Sequence, residues 1–241
     1  MNSLKKITKF CLNYAKRFPV RRYTQNTQKG ISPKLIESAD KDKLVEFLAQ
    51  HYYPYEPLNV SLRVERLPDA VSEQSEFYAS HAIQDKCSYM LVNNENKIVA
   101  VILNKIETRS MFTPWKCKNP HVCTLAKFYN HVYLECMVTK KFDTDKFLNI
   151  EVVAVDLNYV GKGLSQWMVT LTKDYAKNNK IKLITLICTS NYTALSAMKA
   201  GFLEAYKLHY VDYHVEGKQV FNPKPPHKEV VVFALSIFVT Q

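Results

Sequence analysis

Hydrophobic and polar positions follow two rhythms along this chain, and each change of rhythm marks an element. Residues 32–37 read as a short strand. Ser38, Ala39 and Asp40 then open a helix whose apolar face carries Leu44, Val45, Phe47, Leu48 and Tyr52, closed by Pro54 and Pro57. Pro68 and Asp69 start a second helix, running to about residue 86. Residues 87–92 and 98–106 are apolar runs separated by Asn93, Asn94, Glu95 and Asn96, the turn chemistry of a hairpin. Residues 111–119 read as irregular. Val122, Leu125, Phe128, Tyr129, Val132 and Leu134 then predict a helix from Pro120 to about residue 140. An apolar strand through Val152, Val153, Ala154 and Val155 is followed by a helix carrying Leu164, Trp167, Met168, Leu171 and Tyr175. Residues 181–188 are a buried strand, 191–200 a short helix stopped by Gly201, and 202–213 and 229–238 two closing strands. No internal repeat or interior linker interrupts the order, so one α/β domain is expected over residues 31–241.

The stretch around which this order turns is Val160-Gly161-Lys162-Gly163-Leu164-Ser165. Two glycines between a strand and a helix let the backbone turn sharply and come close to a ligand. The free amides of the helix's first turn then favour an anion, so the physical reading is a phosphate cradle; an ordinary strand-to-helix turn is the alternative. The Gly-Lys-Ser/Thr ending of a nucleotide P-loop is missing, as is the third glycine of a dinucleotide fold.

Charge sharpens the picture once it is divided. Of the net +11, nine charges come from Lys5, Lys6, Lys9, Lys16, Arg17, Arg21, Arg22, Lys29 and Lys34, with no acidic residue before Glu37. The other 205 residues therefore carry only +2, and no basic face for nucleic acid is expected on the body. The arm over residues 1–30 has Leu4, Ile7, Phe10, Cys11 and Tyr14 at helical spacing. It resembles a mitochondrial transit peptide, with an unstructured basic tail as the alternative. A cytoplasmic protein is expected, or a mitochondrial one if the arm directs import. The longest apolar run, residues 230–239, is half of the ~20 residues a membrane-spanning helix needs. Six cysteines without CxxC spacing point to reduced thiols rather than to a metal site.

The glycine turn entering a helix, followed by an Asn/Ala-containing helix closed by Gly201-Phe202, resembles the GNAT superfamily of acyl-CoA-dependent N-acyltransferases. The superfamily's Arg/Gln-x-x-Gly-x-Gly/Ala loop keeps its key glycine here at Gly163, with Val160 and Ser165 departing from it. Four further stretches resemble the invertebrate arylalkylamine N-acetyltransferases, including the dopamine acetyltransferases. They are Tyr53-Pro-Tyr-Glu-Pro-Leu-Asn59, Cys188-Thr-Ser-Asn-Tyr-Thr-Ala194, Tyr210-Val-Asp-Tyr213 and Val220-Phe-Asn-Pro-Lys-Pro-Pro-His227.

The resemblance implies a mixed, centrally splayed β-sheet with helices on both faces, acetyl-CoA as co-substrate, a small primary amine as acceptor and a monomer. It places the bulged central strand and its thioester-facing amide near Val153, Ala154 and Val155, and the pyrophosphate on the amides of Gly161, Lys162, Gly163, Leu164, Ser165 and Gln166. By resemblance Glu56 matches the Glu-Pro-Leu glutamate that has the general-base role in the family, and a carboxylate beside Tyr52, Tyr53 and Tyr55 is one that desolvation would raise in pKa; a surface loop carboxylate is the bland alternative. The tyrosine acid of many relatives falls at Ala197, so Thr189 and Thr193 are the expected hydroxyls near the sulfur. Tyr52, Tyr53, Tyr55 and Tyr192 are expected to line the amine pocket, and Trp115 is a weaker candidate. A polyamine or lysine acceptor, or acyl-CoA binding without catalysis, are the rival readings.

Overall fold

The structure is a computed structural model, and it describes residues 29–108 and 116–237. The basic arm up to residue 28, Trp115, most of the 111–119 stretch and the last four residues lie outside the described residues.

After β1 (Ile31–Leu35) a 3-10 turn (Ser38–Asp40) leads into α1 (Lys41–His51). The Asp40 carboxylate starts this corner by accepting from the Glu37 amide at 3.0 Å and pairing with Lys34. Leu44, Phe47 and Leu48 then fall on one buried face of α1. A short helix, α2 (Pro57–Ser61), and a 3-10 turn (Val64–Arg66) come before α3 (Pro68–Gln84); both helices begin with proline, whose fixed φ suits a first helical position. The hairpin β2 (Tyr89–Asn93) and β3 (Ile98–Thr108) follows as expected.

Asn119 caps α4 (Pro120–Cys136) by accepting from the His121 and Val122 amides. The single helix expected to residue 140 is broken at Met137, whose left-handed φ of 47° separates α4 from α5 (Val138–Lys141). Then come β4 (Lys146–Val155), a 3-10 turn (Leu157–Tyr159), α6 (Leu164–Asn178), β5 (Leu183–Cys188) and α7 (Asn191–Lys199). The strand expected to residue 213 stops early, as β6 (Leu203–His209), because a 3-10 turn (Tyr210–Asp212) turns Tyr210 into the core. A two-residue hairpin, β7 (His214–Val215) and β8 (Lys218–Gln219), precedes β9 (Glu229–Ser236).

Seven strands form one sheet in the order β1-β2-β3-β4-β5-β9-β6, antiparallel throughout except where β4 lies parallel to β5. That parallel ladder has three rungs, Leu148 to Ile184, Asn149 to Thr185 and Ile150 to Leu186, and goes no further although both strands continue. On its other side β4 slips register against β3: Leu103 faces Val152 and Asn104 faces Ile150, leaving Glu151 as the extra residue of a β-bulge. Asn104, opposite the bulge, is fully buried and satisfied by Cys87, Ser88 and Thr172. The bulge and the short ladder together splay the sheet at its centre. It was expected near residues 153–155 and lies two residues earlier.

Helices cover both faces. Leu164, Met168, Val169 and Ala176 of α6 pack on one side of β2, β3 and β4. Leu44 and Leu48 of α1 and Tyr78, Ala79 and Ala82 of α3 pack on the other. A third cluster joins Phe128 and Val132 of α4 to Phe147, Tyr210, Phe221 and Val232. Each such side chain contributes roughly 1.5–3 kcal/mol when fully buried, so the splay is held open by well-packed walls.

The expectation of reduced thiols needs one correction. The chain folds back as α4 begins, bringing the Cα atoms of Cys117 and Cys123 to 5.2 Å, and the pair forms a disulfide. Cys87, Cys136 and Cys188 are buried free thiols. Among the described residues no helix is long and apolar enough to cross a membrane.

Candidate active site

A cavity of about 420 Å³ opens where β4 and β5 part, roofed by the turn after α1 and by α4. Glu56 stands in its wall and is 5% exposed. Its placement follows from the local sequence. Pro57 starts α2, and Glu56 at the N-cap accepts from the Asn59 amide at 2.6 Å and from Asn59 Nδ2 at 2.8 Å, both on Oε2. Gln74 of α3 steadies Asn59 by donating to its Oδ1 at 2.9 Å. The other carboxylate oxygen, Oε1, accepts from Thr189 Oγ1 at 2.7 Å, and Thr189 is itself fixed where Tyr210 OH donates to its carbonyl at 2.7 Å. Burial raises the Glu56 pKa above the usual carboxylate value, against the lowering effect of the Thr189 hydrogen bond and then those from Asn59 and Leu58. A carboxylate so placed takes up a proton more readily than an exposed one.

Aromatic side chains form the rest of this wall. Tyr52, Tyr78 and Tyr129 line the cavity, and burial holds all three phenols far above their ordinary pKa, so they remain neutral donors. Tyr52 and Tyr78 meet edge to face at 6.1 Å. Tyr55, 54% exposed, and Tyr192, 65% exposed, stand at the mouth; Tyr192 sits edge-on to His227 at 5.4 Å. Tyr53 departs from expectation. The main chain turns it into the core, edge to face with Tyr52 at 5.1 Å, where it is fully buried and accepts a hydrogen bond from Ser75 Oγ at 3.1 Å.

Val153, Ala154 and Val155 line the opposite wall. The Asp156 amide donates to the Val99 carbonyl at 2.9 Å. Strand alternation then turns the Ala154 amide toward β3 as well, and leaves those of Val153 and Val155 facing the gap that β5 has vacated. Beyond them the glycine loop takes left-handed conformations at Gly161 (φ 81°) and Gly163 (φ 77°). A Cβ at Gly161 would meet nothing within 4 Å, so it is the backbone angle rather than space that calls for glycine there.

No side chain caps α6, so the amides of Leu164, Ser165 and Gln166 at its first turn have no intrahelical partner. One loop amide is turned inward: Lys162 N–H reaches the Tyr159 carbonyl at a long 3.4 Å, while its ammonium lies 4.3 Å above the Tyr159 ring. The Gln166 side chain ties α6 to α7 through Ser196. The cradle thus fits a diphosphate at its helix end, and the splay beside it fits a chain laid along β4.

Thr193, on the first turn of α7, lines the cavity beside Thr189. Ala197 is buried in the core, so no hydroxyl stands at that position. Cys188 also lines the cavity, but burial pushes its thiol pKa far up, away from thiolate chemistry. Several wall residues went unseen in the sequence: Glu107 and Lys105 of β3, Glu151 of the bulge, and Tyr129, Asn130 and Tyr133 of α4. Ala126, Tyr129, Asn130 and Tyr133 recur at i, i+3, i+4 and i+7 on α4, a second helical face beside the core face of Leu125, Phe128 and Val132. That spacing was the available signal.

A sheet splayed between two parallel strands, with a glycine turn entering a helix at the gap and a buried carboxylate across it, defines an acyl-CoA-dependent transferase. The chain belongs to the Acetyltransferase (GNAT) family, whose model matches residues 46–202. It is accordingly an N-acetyltransferase with acetyl-CoA as co-substrate. Its fold is similar to that of arylalkylamine N-acetyltransferase 2 from Aedes aegypti, at 24% identity and a TM-score of 0.80, covering 86% of this chain and 99% of that one. An agmatine N-acetyltransferase matches at 23% identity and a TM-score of 0.77, covering 86% and 100%. The Drosophila melanogaster polyamine N-acetyltransferase that forms N-acetylagmatine matches at 23% and 0.76, covering 86% and 99%. These likenesses carry the fold.

Proposed function

We propose that this N-acetyltransferase acts on small primary arylalkylamines such as dopamine, tyramine, octopamine or serotonin, by direct transfer with Glu56 as general base. The observation that carries the reading is the Glu56 carboxylate, desolvated, held by Thr189 and facing the cavity where β4 and β5 separate. Glu56 takes one proton from the substrate ammonium, freeing its nitrogen to attack the thioester carbon. The Val153 and Val155 amides stabilise the oxygen as charge develops on it. The C–N bond forms and the C–S bond breaks; the second nitrogen proton passes to the departing sulfur, and Glu56 returns its own to solvent. Thr189 spends its hydroxyl hydrogen on Glu56, so the hydroxyl left to relay a proton to sulfur is that of Thr193. The loop amides from Gly161 to Gln166 hold the diphosphate, and Tyr52, Tyr78 and Tyr129 present faces and hydroxyls to an aromatic amine.

A second acceptor class, agmatine or a polyamine, is favoured by Glu107 and Glu151, which add two carboxylates to a cavity where the sequence suggested one. A panel of biogenic amines, agmatine and putrescine with acetyl-CoA, read by release of the free CoA thiol, tests the choice. The highest kcat/KM is expected with an arylalkylamine; turnover confined to agmatine or putrescine would replace that reading by the second.

A further inference from the structure

In the cavity wall, apart from the Glu56 group, buried polar atoms await a partner. Glu151 Oε2 and Asn130 Oδ1 both belong to cavity-lining residues, and among the described residues neither has a hydrogen-bond partner. The Glu151 side chain is only 10% exposed, and His81 Nδ1 stands 3.7 Å from Oε2, beyond hydrogen-bond reach and an ion-pair partner only when the imidazole is protonated. Glu107 differs, because Lys105 answers its charge at 2.9 Å. Alternation along β4 sends Glu151, after Phe147 and Asn149, to the face where α3 packs, and the bulge puts Val152 on that same face beside it. A buried carboxylate oxygen without a donor carries its full desolvation penalty, which a bound donor would relieve.

Helix α3 gives the scale. Gln74 joins the Asn59–Glu56 group and His81 lies beside Glu151, seven residues later, so the two ends of the site stand roughly 10 Å apart along the helix. Tyr78, between them, lines the cavity. We propose that Glu151 forms a distal anchor, with the unpartnered Asn130 Oδ1 of the cavity wall as a second acceptor, which selects primary amines bearing a second hydrogen-bond donor at the opposite end of the molecule. The donor is the ring hydroxyl of a phenolic amine or the second ammonium of a diamine. Tyramine or 1,5-diaminopentane spans roughly 7–8 Å between its polar ends, and a hydrogen bond of about 3 Å at either end extends that reach to about 13–14 Å, enough to bridge the axial rise and the side chains' offset from the helix. The inference rests on the small-amine reading above and adds what that reading leaves open, namely which end groups are selected.

Calorimetric binding to the full chain saturated with CoA tests it without requiring turnover. Tyramine is compared with phenethylamine, and 1,5-diaminopentane with 1-aminopentane. At least one donor-bearing partner is expected to bind tenfold or more tightly than its match, and Glu151→Gln should shrink that gap to threefold or less. A gap in the diamine pair identifies the donor as a cation; a gap in the tyramine pair identifies it as a hydroxyl. Asn130→Leu supplies the same comparison should Glu151→Gln not fold. Equal binding within both pairs, or a gap untouched by both substitutions, overturns the anchor. Binding that shows the gap in a protein that acetylates no amine would instead remove the transferase reading and leave the anchor standing.

Discussion

Replacing Glu56 by glutamine removes one charge and keeps the side chain's shape. The Asn59 amide and Nδ2 now meet on Oε2, and a glutamine oxygen accepts from both; its Nε2 then faces Thr189 Oγ1, which turns from donor to acceptor. The N-cap of α2 survives, so the substitution isolates charge from structure. Loss of a general base typically lowers kcat/KM by about 10²–10⁴-fold, equivalent to roughly 3–5 kcal/mol of transition-state stabilisation. The pH profile carries the decisive reading. Because burial raises the Glu56 pKa, the rising limb of kcat/KM should lie above the ordinary carboxylate range and vanish in Glu56→Gln. Stability gives an independent check with the sign worked out. A carboxylate whose folded pKa is raised favours folding fully below its unfolded value, and that contribution is lost as pH rises through the folded one. Glutamine has no such dependence, so the variant's Tm should gain on the wild type from acid to neutral pH. Stopped assays with acetyl-CoA and tyramine across pH 5–9, beside thermal melts, measure both. Activity within tenfold of wild type with the rising limb intact would leave Glu56 as a helix cap and nothing more.

Thr189→Val removes the donor that lowers the Glu56 pKa, so the rising limb should shift to higher pH and kcat/KM near neutrality fall about tenfold; Thr189→Ser should restore both. Gly163→Ala puts a Cβ on a residue at φ 77°, costing about 1–2 kcal/mol; the KM for acetyl-CoA should rise more than kcat falls, as steady-state rates will show. Tyr53→Phe deletes the core hydrogen bond with Ser75 and should lower Tm by a few degrees, for a loss of about 1 kcal/mol. An amine KM altered by that variant, with Tm unchanged, would return Tyr53 to the pocket.

Much of the framework was legible because its elements announce themselves locally. The prolines at 57, 68 and 120 and the glycine pair at 161 and 163 all stand at element boundaries in the structure. Glu56 was reachable through the motif around it, and its burial follows from that motif's proline and from a partner, Thr189, 133 residues away. What could not be read depends on pairings between distant strands. The bulge at Glu151 is a register slip against β3, and nothing in the run of valines reports it. Glu107 and Lys105 look like the polar end of a strand until the sheet brings them beside α4. Tyr52, Tyr53 and Tyr55 are alike in sequence; only the path of the chain after α1 sends one to the cavity, one to the core and one to the mouth. The Cys117–Cys123 bridge likewise depends on the chain folding back at α4.

The most direct test is a crystal structure of the protein with CoA and an amine acceptor bound together. The diphosphate should lie on the amides between Gly161 and Gln166, with the acceptor nitrogen within about 3 Å of Glu56 or one water away. A diphosphate held elsewhere, or an acceptor nitrogen out of reach of that carboxylate, would contradict acetyl transfer at the splayed strands.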